Sequence, residues 1–243
     1  ALRRAQGPQE VVRSINATDP MFGHEWIGTA HVPDGVEMRL MQRGDEFTIL
    51  LAHNELMSTR ASASEEALAT MTAARLGNRP AQQWLIGGYG MGFTLRAALA
   101  VLSPGASVTV AEIVPEIIEW AHGPMRALTS GCLDDPRVVL VQDDVAMLID
   151  AARAGYDAIL LDVDNGPDGL TRRINDDLYR GDGLQAAMTA LRPGGILAVW
   201  SAEPDQAFAD RLHDAGFAVD EQVVREAADD QGAHHVIWFA HKP

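Results

Sequence analysis

Ile86-Gly87-Gly88-Tyr89-Gly90-Met91-Gly92 follows the apolar run Gln83–Ile86 directly and leads straight into a helical pattern, Phe93–Leu102. Glycine lets a backbone turn tightly and pass close to a ligand. A helix beginning at the same point offers free N–H groups and the positive end of its dipole. The plain alternative is a tight strand-to-helix turn with nothing bound to it. Against that stands Glu112, which ends the next apolar run, Ser107–Glu112, 20 residues after Gly92. A carboxylate at the end of the second strand of such a unit is placed to accept both hydroxyls of a ribose.

Strand-like and helix-like stretches alternate on either side of this turn. The strands are read at Gln83–Ile86, Ser107–Glu112, Arg137–Gln142, Asp157–Asp162 and Ile196–Trp200. Between them run helical patterns at Phe93–Leu102, Pro115–His122, Val145–Arg153 and Gly183–Leu191. Runs such as Ala158-Ile159-Leu160-Leu161 are apolar without alternation, as strands covered on both faces are. Alternating β and α units with such strands predict an α/β fold with a doubly wound, mainly parallel sheet. A further helix near Asp205–Ala215 and two closing strands, Phe217–Val223 and His235–Ala240, bring the strand number to seven. The closing hairpin departs from a dinucleotide-binding sheet, where another βα unit is usual.

Upstream, residues 26–57 carry β-type patterning, with alternation at Val36–Met41, a turn at Gly44-Asp45 and a second run at Phe47–Leu51. Ser62 or Ser64 is read as the cap of a helix to about Arg75, with Glu65 and Glu66 in its first turn, where the dipole favours carboxylates. The expected organisation is a flexible N-terminal arm (1–23), a small N-terminal β unit (24–60) and a nucleoside-binding domain (61–243).

The chain has 243 residues, of which 47% are apolar and 22% charged, with a formal charge of −15. An acidic surface repels phosphate backbones, so a nucleic-acid partner is disfavoured. It suits a cationic or neutral small molecule. No stretch approaches the roughly 18 uncharged apolar residues of a membrane helix. Cys132 is the only cysteine, so no disulfide forms within the chain and a thiolate metal site is not expected. Lys242 is the only lysine, which argues against Schiff-base chemistry. These features predict a cytoplasmic protein with a small-molecule substrate, no metal and no membrane.

The glycine spacing narrows the ligand. A dinucleotide site requires Gly-x-Gly-x-x-Gly, and counted from Gly88 its third glycine would fall at Phe93. Gly88-Tyr89-Gly90-Met91-Gly92 instead has the Gly-x-Gly-x-Gly spacing of S-adenosylmethionine sites. Asp143 and Asp144 follow the third strand, where an acid can meet the adenine amino group. Asp162 ends the fourth, with Asp164 just beyond, where a substrate and the sulfonium would meet. Ligands of open α/β sheets sit beyond the carboxyl ends of the strands, and three successive strand ends here carry acids.

On these residues the sequence resembles the spermidine/spermine synthase superfamily, within the class I S-adenosylmethionine-dependent methyltransferase fold. The likeness is carried by Leu85–Arg96, Val110–Glu116, Asp134–Val138 leading to Asp143-Asp144, Tyr156–Asp162 and Leu191–Gly195. Leu161-Asp162-Val163-Asp164-Asn165-Gly166-Pro167 is similar to a group of bacterial proteins named spermidine synthase by similarity. The resemblance implies the nucleoside turn at Gly87, Gly88 and Gly90, the ribose at Glu112 with Ile113 beside it, and adenine at Asp143 with Asp144. It places Asp162 beside the reacting amine. It also implies a homodimer formed with the help of the N-terminal strands. Four positions depart from the family pattern. An aspartate in the glycine turn is replaced within the stretch Tyr89–Met91. A second aspartate of the catalytic segment falls at Asn165, and a tyrosine and glutamine that hold the polyamine fall at Leu68 and Ala69.

With those dication-binding groups gone, the sequence favours methyl transfer from S-adenosylmethionine to a small molecule, an amine among them. Asp162 and Asp164 would orient or deprotonate the acceptor and Asn165 would donate a neutral hydrogen bond. Tyr89 and Tyr179 are candidate substrate contacts. The alternative is aminopropyl transfer from decarboxylated S-adenosylmethionine; a non-catalytic nucleoside-binding protein is a third reading. Trp200, Trp238, Met38, Met41 and Met57 read as core, and His234-His235 cannot chelate together because neighbours on a strand face opposite ways.

Overall fold

The structure is a computed structural model and describes residues 18–19, 23–33, 35–52, 54–163, 175–226 and 234–243. Five strands come first, β1 (Thr18–Asp19), β2 (His24–His31), β3 (Glu37–Arg43), β4 (Glu46–Leu51) and β5 (Asn54–Ser58). They pair antiparallel in sequential order. Met38 and Leu40 of β3 and Phe47 and Ile49 of β4 are buried. Gly44 turns between these strands at φ +61°, a conformation that excludes most side chains. Of the expected arm, Thr18–Asp19 pairs with His24 and Glu25; its other residues up to 22 lie outside the described ones.

Helix α1 (Ala63–Leu76) leads from this sheet into the second one. Leu68, Ala69, Thr72 and Leu76 form its buried face, at the spacing that lines up one side of a helix. The second sheet then builds from β6 (Gln83–Gly87), α2 (Phe93–Val101), β7 (Ser107–Ala111), α3 (Pro115–His122), β8 (Val138–Val141), α4 (Val145–Ala151) and β9 (Tyr156–Leu161). It is completed by α5 (Gly181–Ala190), β10 (Leu191–Ser201), α6 (Gln206–Asp214), β11 (Ala218–Arg225) and β12 (His234–His241). The strand order is β11-β12-β10-β9-β6-β7-β8. Six strands run in one direction, and β12 enters antiparallel between β10 and β11. The fold is thus the seven-stranded, mainly parallel α/β sheet with a small N-terminal sheet that the apolar runs imply.

Both faces of this sheet are covered. Ile86, Leu160 and Ala198 point into one apolar cluster, while their neighbours Leu85, Ile159, Leu161 and Leu197 point into the other. Each fully buried aliphatic side chain contributes roughly 1.5–3 kcal/mol. The two halves of the sheet diverge from the β6–β9 pair: the chain leaves β6 toward β7 and β8, then returns to β9 and β10. A crevice at the carboxyl ends of the strands is the geometric result. The amino ends are closed instead by charge pairing. Buried Asp157 accepts from the Gln83 N–H at 2.8 Å and from Arg192 at 2.7 Å. Among the described residues no helix is long and apolar enough to cross a membrane.

Candidate active site

A cavity of about 900 Å³ opens at the carboxyl ends of β6 to β9. Its floor is the glycine turn, and its apolar wall comes from the N-terminal sheet: Val32, Met38, Ile49, Leu51, Leu56 and Met57. Met38 and Met57, expected to serve as packing alone, therefore also face the cavity.

The glycine turn is shaped by close approach. Gly88 sits at φ +85°, and a Cβ there would lie 2.4 Å from the Asp162 carbonyl oxygen. Gly90, at φ +53°, lies against Met57. Both line the cavity. Gly87 does not; it belongs to β6 and packs against Val145 and Leu161. The Glu112 carboxylate, buried below the turn, accepts from the Tyr89 N–H at 2.9 Å and the Val114 N–H at 2.8 Å. Burial pushes Glu112 above the usual carboxylate range, against the pull of these N–H donors. It therefore braces the turn while lining the same cavity as Ile113, Asp143 and Asp144. Asp144 also caps α4, accepting from the Ala146 N–H at 2.9 Å.

Two expected contacts lie elsewhere. The Tyr89 ring turns away behind the glycine turn, where its hydroxyl is 3.3 Å from Thr129 Oγ1 and 3.6 Å from Cys132 Sγ. Gly92 leaves room there for the ring, since a Cβ at that position would lie 2.5 Å from the Tyr89 hydroxyl, and the buried Tyr89 is a packing residue. Tyr179 is also buried, edge-on to Phe208 at 5.7 Å, and its hydroxyl donates to the Val163 carbonyl at 3.3 Å. It supports the strand end that bears Asp162 and does not line the cavity. Asp164 and Asn165 lie outside the described residues.

Asp162 is where the turn, the sheet and the cavity meet. Thr94 of α2 donates to its Oδ2 at 2.8 Å. Removal from water pushes its pKa up to about 6, although the Thr94 bond opposes the rise. Across from it stands the first turn of α1. Leu68 and Ala69, the positions that the family pattern assigned to acceptor binding, are instead fully buried in the core. The residues of α1 that reach the cavity are Ser64 and Glu65, one helical turn earlier. Glu65 is only 6% exposed. Burial, then the negative charge of Asp162, then that of Glu226, push its pKa up to about 8. In the sequence Glu65 reads as a dipole-favoured residue of an exposed first turn; nothing local signals its burial.

The closing strands supply the rest of this wall. Glu226, just after β11, and His235 of β12 line the cavity. His235 Nε2 is 3.5 Å from a Glu226 oxygen, and burial pushes the imidazole below its ordinary pKa. Its ring lies against Trp200 with centroids 4.8 Å apart. Trp200 is thus a cavity residue, whereas Trp238 fills the core as expected. His234 faces solvent and His235 the cavity, as alternation on a strand requires.

Residues 63–207 match the spermine/spermidine synthase domain family. The polyamine aminopropyltransferase of Mycobacterium tuberculosis is 33% identical over 128 residues, covering 51% of this chain and 23% of that protein. The polyamine aminopropyltransferase of Corynebacterium efficiens is 30% identical over 178 residues, 71% of this chain and 32% of the other. Putrescine N-methyltransferase 1 of Nicotiana tabacum is 35% identical over 119 residues, 49% of this chain and 30% of the other. The chain thus spans a quarter to a third of the length of these relatives. In fold it is similar to the spermidine synthase of Thermotoga maritima, with a TM-score of 0.72 at 19% identity, over 90% of this chain and 73% of that one. The match begins with the helix that carries Ser64 and Glu65 and takes in the glycine turn, Glu112, Asp143 and Asp162. On that extent, the chain belongs to the spermine/spermidine synthase domain family.

Proposed function

We propose that this protein transfers an aminopropyl group from decarboxylated S-adenosylmethionine to a primary amine of a di- or polyamine. The observation that carries this reading is the charge of the cavity wall. Among the described residues, Glu55, Glu65, Glu112, Asp143, Asp144, Asp162 and Glu226 all line it, and the one guanidinium there, Arg60, is already paired with Glu55 at 3.1 Å. A donor bearing its own carboxylate adds an anion to a wall where burial, and after it the charges of Asp162 and Glu226, already push Glu65 up to about 8. A donor without it, carrying a free ammonium beside the sulfonium, adds two positive charges. The acceptor is favoured for the same reason. The sequence pointed to methyl transfer because the family's dication-binding groups are replaced within Tyr89–Met91 and at Asn165, Leu68 and Ala69. Glu65 and Glu226 supply that charge from positions which the sequence did not reveal.

The turn fits the donor: Gly88 and Gly90 let the backbone pass against Asp162 and Met57 at the cavity floor with no side chain between, and Glu112, Asp143 and Asp144 offer acceptors for ribose and adenine. A sulfonium supplies an electrophilic carbon and a neutral thioether leaving group. The protein's task is alignment, worth on the order of 7 kcal/mol or more. Asp162, fixed by Thr94, holds the attacking amine and takes the proton it sheds as the new N–C bond forms and the C–S bond breaks. Such a base contributes about 10²–10⁴-fold. Glu65, ionised when the ammonium binds, neutralises the remaining positive charge of the acceptor. Methyl transfer to the same amine is the second reading, supported by the N-methyltransferase likeness and by a glycine turn without a carboxylate between Gly88 and Gly92.

Mass spectrometry of products formed with each donor and a series of linear diamines tests the reading. An aminopropyl adduct formed with the decarboxylated donor is expected, and Asp162→Asn should remove most of it. A methyl adduct formed from S-adenosylmethionine would move the assignment to the second reading.

A further inference from the structure

We propose that Glu226 is a positioning residue for acceptor recognition, tying the closing hairpin to the first turn of α1 and holding Ser64 and Glu65 against Asp162. Glu226 lies beyond residues 63–207 that carry the family match, and 162 residues from the helix it touches. Its Oε2 accepts from the Ala63 N–H at 3.0 Å and its Oε1 from the Ser64 N–H at 3.1 Å. The Ser64 hydroxyl donates to Oε1 as well. These are N–H groups that no carbonyl of the helix can satisfy, and Ser62 at the cap position makes no side-chain bond to them. The helix is therefore capped from another element, by a side chain that is 8% exposed. Because that element also carries His235 and the Trp200 contact, the cavity wall is locked at one point.

The inference rests on the amine-transfer reading, and it gives Glu226 two separable roles. One is geometric, through the cap. The other is electrostatic, because the Glu226 charge helps to keep the proton on Glu65. Among the described residues, the groups facing Glu65 are Asp162 from the end of β9, Glu226 just after β11 with His235 of β12 behind it, and the Ser64 hydroxyl; Glu66 beside it on α1 is paired with Arg96 of α2. Binding of an ammonium requires ionised Glu65, so acceptor affinity rises as pH passes the Glu65 titration. Replacing Glu226 with a neutral group removes one of the charges opposing ionisation and moves that rise to lower pH.

Steady-state kinetics of Glu226→Gln and Glu226→Ala across pH test this. Glu226→Ala should raise the acceptor KM about tenfold, the scale of a lost cap, with the donor KM within about twofold of the parent. Glu226→Gln keeps an oxygen for the cap, folds if the alanine variant does not, and should shift the pH rise of acceptor kcat/KM downward. A merely structural residue would not move that profile. An unmoved profile in Glu226→Gln, or equal losses for donor and acceptor, overturns the proposal alone. A parent protein that transfers nothing to any amine overturns the amine-transfer reading and this inference with it.

Discussion

Asp162 and Glu65 are a buried pair of acids with no cation between them among the described residues, and the fold is less stable for it. The Glu65 carboxyl goes from an ordinary 4.5 to about 8 in the folded chain, and Asp162 from 3.8 to about 6. A raised carboxyl means that the folded state binds more protons than the unfolded one, so stability falls as pH rises between the two values. The ligand-free protein should therefore lose stability from pH 3.8, where Asp162 begins, to about 8, with most of the loss above pH 6 due to Glu65. Glu65→Gln should flatten that decline and raise the melting temperature at pH 8 while weakening acceptor binding. A thermal scan at several pH values checks it, and a variant as pH-sensitive as the parent would contradict it. Asp162 was legible in the sequence because it follows a continuous apolar strand, where ligands gather. Glu65 was not, because its environment is made by Asp162 and Glu226, 97 and 161 residues away.

At the scale of elements, the site is a strand end, a turn and a helix start held in register. The turn tolerates no side chain where it crosses Asp162. In Gly88→Ala a Cβ would lie 2.4 Å from a backbone oxygen at φ +85°, adding to the roughly 1–2 kcal/mol of a left-handed alanine. That variant should melt lower by several degrees, since about 1 kcal/mol moves a domain of this size by 2–4 °C. It should also lose donor binding out of proportion to stability. Calorimetric titration alongside a thermal scan separates the two, and full donor affinity would contradict the role of the turn. This part of the fold was readable because buried parallel strands appear as unbroken apolar runs and the turn as glycine. The N-terminal sheet was readable only in outline. Its strands are half exposed, and the sequence could not tell that Met38 and Met57 face a cavity. Tyr89 misled for a related reason: a residue inside a ligand turn need not point at the ligand, and this one points behind it. The helix cap supplied by Glu226 depends on a pairing across the chain that no local pattern records.

Across the whole molecule, a formal charge of −15 and the seven carboxylates that line the cavity among the described residues act in the same direction. The long-range field draws cations toward the protein, an effect that falls off over about 8 Å at physiological salt. The wall of the cavity then discriminates at contact. This account separates the two donors by a single group, the carboxylate that one of them lacks. Isothermal titration of the ligand-free protein with S-adenosylmethionine and with its decarboxylated form, at neutral pH and moderate salt, measures that separation directly. The decarboxylated donor should bind at least about tenfold more tightly, the scale of one unfavourable charge contact near a protein surface. Equal affinity, tighter binding of the carboxylated donor, or no heat with either would contradict it.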